Sequence, residues 1–284
     1  MSLKSNSLLA LAALMTLLLT ANGIAASGNL TGNAAGEKAS ADLKDDAALS
    51  LLQLQSEIQG KLSDQDALAG RAAVQLSGTG PDGETAQEIM RSLTESVFNE
   101  ATIISPQGLI VAAKPSSYQD WVGANISDQQ WFEFLKSRSP YQTGVFRAVE
   151  GYDAVALIHP IFSQTGEFSG ALSALINPGE YLKGIIDPEL SGTPFTAWIM
   201  QKDGLIVYDA DPSQEGLMLF QDPLYQPYPS LLEIGRKMVE NRSGKGSYFF
   251  LNKEHNQNVT KEVYWTTFGL HGSEFRLALI RVVN

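Results

Sequence analysis

The chain has no cysteine, only three histidines, and 18% charged residues in a length of 284. Without cysteine there are no disulfides, zinc thiolates, iron–sulfur ligands or thiol nucleophiles. Basic residues are also scarce, 20 against 31 acids for a net charge of −11. That balance excludes a nucleic-acid partner, because phosphate backbones are bound by clustered Lys and Arg. Catalytic signatures are missing as well. No G-x-S-x-G or H-E-x-x-H motif occurs, and Ser243–Ser247 lacks phosphate-loop spacing and follows a helix instead of opening one. His255 and His271 sit in polar or Gly-bounded loops without metal-ligand spacing, so neither a metal site nor a cofactor is expected.

What is present is enough apolar residue, 44%, to build a core. The length suits one large domain or two of roughly 100 residues. Residues 1–26 open with Lys4, run apolar from Leu8 to Leu19, and end in small residues up to Ala26. This is the layout of an export signal or N-terminal anchor, and it places the rest of the chain outside the cytoplasm. Residues 27–40 are rich in Gly, Ala, Ser and Asn and read as a flexible leader. The four N-x-[ST] sequons, at Asn29, Asn125, Asn241 and Asn258, read as ordinary polar loop sequence.

From about Leu43 to Gln75, apolar residues recur in two runs with steps of three or four, Leu51, Leu54, Ile58 and Leu62, then Leu68, Ala72 and, just beyond, Leu76. That period predicts a long amphipathic helix. A second helix, marked by Ala86, Ile89, Leu93 and Val97, follows the Gly78–Pro81 break and completes a segment over 41–98.

The strongest organisational signal is an internal repeat. Ile103–Val111 recurs as Ile199–Val207 at a constant offset of 96, each an apolar run, a turn ending in Gly (Gly108, Gly204) and a second apolar run. Each copy is therefore a β-hairpin whose Gly supplies the left-handed turn position. Further strands are expected at 145–148, 155–162, 167–176, 247–251, 262–268 and 275–283, separated by turns too short for parallel crossovers. Connecting helices start at a Ser127/Gln130 capping box and run to Lys136, at Asn177–Pro178 and run to Ile186, and at Pro229–Ser230 and run to near Gly244. The fold class is α+β, a long helix followed by modules at 99–190 and 191–284 with antiparallel sheets.

The ordered set Gly108–Val111, Gly123–Phe132, His159–Phe162, Gly166–Gly170 and then Asp203–Tyr208 resembles the double Cache extracytoplasmic sensor domains, whose two modules are PAS-like. The resemblance runs from Leu43 to the chain end. It implies a small-ligand site in the first, membrane-distal module and a membrane-proximal second module. Chemically suitable residues are Tyr118, Trp121, Trp131 and Tyr141 as aromatic walls, with Gln129, Arg147, Tyr152, Asp153 and His159 as polar groups. Gln129, Thr143 and Leu175 stand where the amino-acid-binding branch carries an Arg and two Asp, so a small acid or amine is expected in place of a standard α-amino acid. Arg147 suits a carboxylate and Asp153 an amine.

The expected function is a non-enzymatic sensor module without an output region of its own. It would act through a membrane signalling partner or a homodimer paired along the long helix. Alternatives are a ligand-free envelope protein and, more remotely, a hydrolase built on Asp153 and His159.

Overall fold

A computed structural model describes residues 46–80, 83–129, 132–252 and 257–283. The export segment, the leader, the start of the helix at 43–45 and Trp131 lie outside the described residues.

Helix α1 (Ala47–Thr79) opens at Asp46, whose carboxylate accepts from the Ala48 and Leu49 amides. It buries the predicted stripe, Leu51, Leu54, Ile58, Leu62, Ala72 and Leu76, and closes when the Gly80 amide donates to the Leu76 carbonyl. Helix α2 (Glu84–Thr94) lies against α1 through Ala86, Met90 and Leu93.

The first module contains β1 (Glu100–Ile104), β2 (Ile110–Lys114), helix α3 (Phe132–Leu135), β3 (Tyr141–Gln142), β4 (Phe146–Arg147), β5 (Asp153–Phe162) and β6 (Phe168–Ile176). The sheet order is β2-β1-β6-β5-β3, with β4 also on β5. Helix α4 (Pro178–Leu190) begins at the predicted cap, Asn177 accepting from the Glu180 amide at 3.3 Å, and leads to the second module. There β7 (Thr196–Gln201), β8 (Ile206–Asp209), helix α5 (Pro229–Glu240), β9 (Gly244–Asn252), β10 (Gln257–Phe268) and β11 (Phe275–Val283) give the order β8-β7-β11-β10-β9. Every pairing is antiparallel. No helix among the described residues is long and apolar enough to cross a membrane.

The repeat extends beyond the matching letters. Both hairpins carry a register shift at the same place, Ile103/Ile104 and Ile199/Met200. Gly108 and Gly204 both hold positive φ, +85° and +98°, at the turn. In both copies the chain then returns to form an isolated bridge just ahead of the second strand, Leu109 with Asn125 and Leu205 with Met218.

The helix expected from Ser127 to Lys136 is a correction: among the described residues of that span only Phe132–Leu135 is helical, and Gln130 of the expected capping box lies outside them. The Ser127 amide instead donates to the Asn125 carboxamide oxygen at 2.9 Å, a local bond that favours a turn.

Alternation along the strands sorts the side chains into layers. Ala101, Ile103, Val155, Leu157, Leu172 and Ala174 join Ala197, Ile199, Leu277 and Leu279 and the buried stripe of α1 in one continuous core. The opposite faces form separate caps. In the first module Ala154, Ala156, Ile158 and Ala171 meet Ile126, Phe132 and Leu135. In the second, Trp198, Met200, Val263 and Ala278 meet Tyr225, Leu231 and Ile234. The modules are also clasped by two glutamines. Gln142 accepts the Leu270 amide at 2.7 Å and Gln201 accepts the Val145 amide at 2.6 Å.

Candidate functional site

Each sheet has a cleft on its capped face, at equivalent places in the repeat. Thr102 and Ile110 line the first cleft, and their counterparts 96 residues on, Trp198 and Ile206, line the second. The two clefts differ sharply in size and chemistry.

The first cleft offers about 30 Å³, room for no more than a few water molecules. Its floor is acidic. Glu100 is only 1% exposed on β1. Burial, reinforced by the nearby charge of Glu150 and a hydrogen bond to that carboxyl, pushes Glu100 up to about 8. The Tyr152 hydroxyl donates to Glu100 Oε2 at 3.2 Å, and burial raises the Tyr152 phenol too. Thr102, Ser173, Leu175, Phe146 and Val149 fill the remaining wall.

Of the residues expected to form this site, Gln129 lines the cleft and Tyr152 reaches its floor through Glu100. Tyr118 and Tyr141 pack in the apolar cap. Trp121 is exposed at the end of the short 3₁₀ helix Ser116–Trp121. Arg147 and Asp153 pair with each other at 3.1 Å, with side-chain exposures of 66% and 55%. They neutralise each other at the surface. His159 does not join this group: on β5, Ala154, Ala156 and Ile158 face the cap, so His159, with Val155 and Leu157, faces α1. There its Nε2 bonds Asp66 Oδ1 at 2.8 Å.

The second cleft is far larger, about 680 Å³, in the range of small-molecule sites. Its walls include Trp198, Tyr225, Tyr248 and Phe250. Tyr225 comes from the loop before α5 and is 2% exposed, yet its hydroxyl has no hydrogen-bond partner. The indole Nε1 of Trp198 also lacks a bond of normal geometry, although it acts on the buried Tyr248 hydroxyl beside it. A buried polar group left unsatisfied costs about 1–3 kcal/mol.

Both signs of charge edge this cleft. Asp209, at the end of β8, is pushed up to about 7 by burial, with the Asp211 amide and Lys261 opposing the rise. Lys261 on β10 is lowered by burial, opposed by Asp209 and Asp211, and lies 5.3 Å from the Phe250 ring centroid. None of these cleft residues was singled out as a site in the sequence. Tyr225 sits in an irregular loop, and Trp198 reads as core.

Comparison with known proteins gives the chain its relatives. Residues 60–178 match the family model "HK/GC/Chemotaxis protein-like, sensor domain". An extracellular ligand binding receptor from Desulfohalobium retbaense is 29% identical, with a TM-score of 0.70 over 82% of this chain and 40% of that one. This chain thus spans less than half of that receptor. The ligand-binding domain of the Pseudomonas fluorescens chemoreceptor CtaA, in complex with L-alanine, is 16% identical with a TM-score of 0.61, covering 86% and 98% of the two chains. That of the Pseudomonas aeruginosa amino acid chemoreceptor PctB, in complex with L-Arg, is 19% identical with a TM-score of 0.61 over 85% and 95%. A search of curated proteins finds no significant match.

Proposed function

We propose that this protein, whose residues 60–178 match the HK/GC/chemotaxis sensor model and whose fold is that of the double Cache domains, is a sensor domain that binds a small polar molecule outside the cytoplasm. The observation that carries the reading is the second cleft, where about 680 Å³ of space meets the partnerless Tyr225 hydroxyl and Trp198 Nε1, whose one neighbour, the Tyr248 hydroxyl, is not held at normal hydrogen-bond geometry. A ligand that accepts from both would satisfy groups the protein alone leaves wanting. Asp209, Asp211 and Lys261, which act on one another at the same edge of the cleft, suit a molecule carrying both an ammonium and a carboxylate. The departures that disfavoured an α-amino acid concern the first cleft and do not reach this one. The export pattern before Ala26 supports the location, and the role is binding without turnover, relayed to a signalling partner.

A second reading rests on Glu100. Its cleft offers carboxyls from Glu100 and Glu150 and the Tyr152 hydroxyl, with Arg147 turned to Asp153, so it suits a small amine and not an acid. Opening it requires the cap to move outward, since about 30 Å³ holds no metabolite.

Thermal shift across L-amino acids, biogenic amines and small carboxylates tests both readings. At least one compound is expected to raise the melting temperature, and Tyr225→Phe and Asp209→Asn should each abolish the rise while Glu100→Gln leaves it. Loss only in Glu100→Gln assigns the ligand to the first cleft, and no shift with any compound overturns the sensor reading.

A further inference from the structure

We propose that Asp66, His159 and His271 form a binding site for a divalent transition-metal ion of the zinc, nickel or cobalt type, joining the long helix to both modules. The proposal is independent of the ligand reading. Asp66 lies on α1, His159 on β5 of the first module, and His271 in the turn between β10 and β11 of the second. Two of the chain's three histidines, 112 residues apart, thus converge on one acid. Each residue offers a ligand atom within 4.8 Å of the other two. The geometry is convergent and not merely close: both Nε2 atoms point at the same oxygen, Asp66 Oδ1, at 2.8 and 2.9 Å.

The donor chemistry selects the ion. Two imidazoles and one carboxylate are borderline ligands that favour zinc and its neighbours over calcium or magnesium, which take oxygen cages. A tetrahedral ion with bonds near 2.0–2.1 Å needs its donors about 3.3 Å apart. The two short separations from Asp66 therefore have to widen by about half an ångström, within the reach of side-chain torsions. The fourth position is left for water or a partner's donor.

The site is also held in place from behind. Gly70, one turn along α1 from Asp66, lies under the His159 ring, where a Cβ would stand 3.1 Å from Cε1. Alanine there would press on the imidazole. His271 is one of two described non-glycine residues with positive φ, +52°. Such a backbone costs about 1–3 kcal/mol and persists where surrounding structure imposes it. The imposing contacts are visible: the Gly269 amide donates to Gln59 Oε1 at 3.1 Å, the Leu270 amide donates to Gln142 Oε1, and the Ser273 hydroxyl donates to the Gln142 carbonyl. Gln59 precedes Asp66 by two turns on the same helix. The His159 side chain is 9% exposed and that of His271 is 26% exposed, which leaves an entry route on one side. Among the described residues, the ion-pair partners of Asp66 are these two imidazoles.

An ion here would fasten the second module's turn to the first module's sheet through the helix. Metal occupancy would then set how firmly the two cleft-bearing halves are held together.

The test uses untagged, chelator-treated full chain titrated with ZnCl2 by calorimetry and with CoCl2 by visible absorption. One ion per chain is expected, with the cobalt ligand-field bands of a nitrogen–oxygen site and a rise in melting temperature on adding zinc. His271→Ala, on a partly exposed turn, and the isosteric Asp66→Asn should each weaken zinc binding by about tenfold or more. Circular dichroism of both variants separates loss of a ligand from loss of fold. If wild-type protein binds no ion at millimolar zinc, or if neither variant changes the affinity, the three residues are only a hydrogen-bonded clasp and the proposal fails.

Discussion

The two modules share a repeat, a sheet order and a bulge, yet equivalent positions in their clefts do opposite things. In the first, Thr102 sits under a cap that closes on Glu100, Phe146 and Val149 and leaves about 30 Å³. In the second, Trp198 stands at the edge of about 680 Å³ with its indole nitrogen unsatisfied. The hairpins are not the cause, since their register and bulge coincide in both. The covers differ. A short helix and the irregular 122–129 loop press on the first sheet, whereas α5 spans the second and leaves the side of Asp209 and Lys261 open. A duplicated scaffold thus sets where a cleft lies, and the connecting segment sets whether it is open.

The largest expected effect comes from truncating the paired positions. Trp198→Ala should lose about 3–5 kcal/mol of stability in denaturant unfolding, as large-to-small changes at buried aromatics do. Thr102→Ala should lose about 1 kcal/mol, one buried hydroxyl and methyl. Equal losses would show that Trp198 carries no more packing than its counterpart.

An intermediate effect is expected in pH. Both buried acids are raised, Glu100 to about 8 from 4.5 and Asp209 to about 7 from 3.8. The folded state therefore binds their protons more tightly than the unfolded chain does, and stability falls as pH rises through each window. Glu100→Gln should flatten the fall between about pH 5 and 8, and Asp209→Asn the fall between about pH 4 and 7. A wild-type midpoint that stays level across pH 5–8 would contradict both assignments.

The smallest effect is expected at the rim. Arg147→Ala removes a solvent-exposed ion pair and should cost about 0–1 kcal/mol, with no change in ligand response. A larger loss, or a lost thermal shift, would bring Arg147 back into the first cleft.

The fold was legible where the signal is local or repeated. The stripe Leu51 to Leu76 carries the helical period, and the 96-residue offset between hairpins reports duplication directly. Glu100 was legible in principle, because it alternates with Thr102 and Ile104 on a buried strand, and an acid at such a position is costly unless used. Tyr225 was not, since its burial depends on how an irregular loop lies over a distant sheet. The meeting of Asp66, His159 and His271 was not legible either. Their spacing carries no motif, and only the packing of three separate elements creates it. His159 shows how a one-residue shift in strand phase sends a side chain to the opposite layer.

Helix α1 offers one apolar stripe to both sheets, so the two modules are not separable units in the sense that their sequence repeat suggests. Cutting the chain near Leu190 would leave β7 and β11 with Ala197, Ile199, Leu277 and Leu279 facing water, an exposed apolar sheet face of the kind that drives face-to-face association. Recombining the second module with another partner would require carrying the helix along, even though roughly a hundred residues of chain separate them.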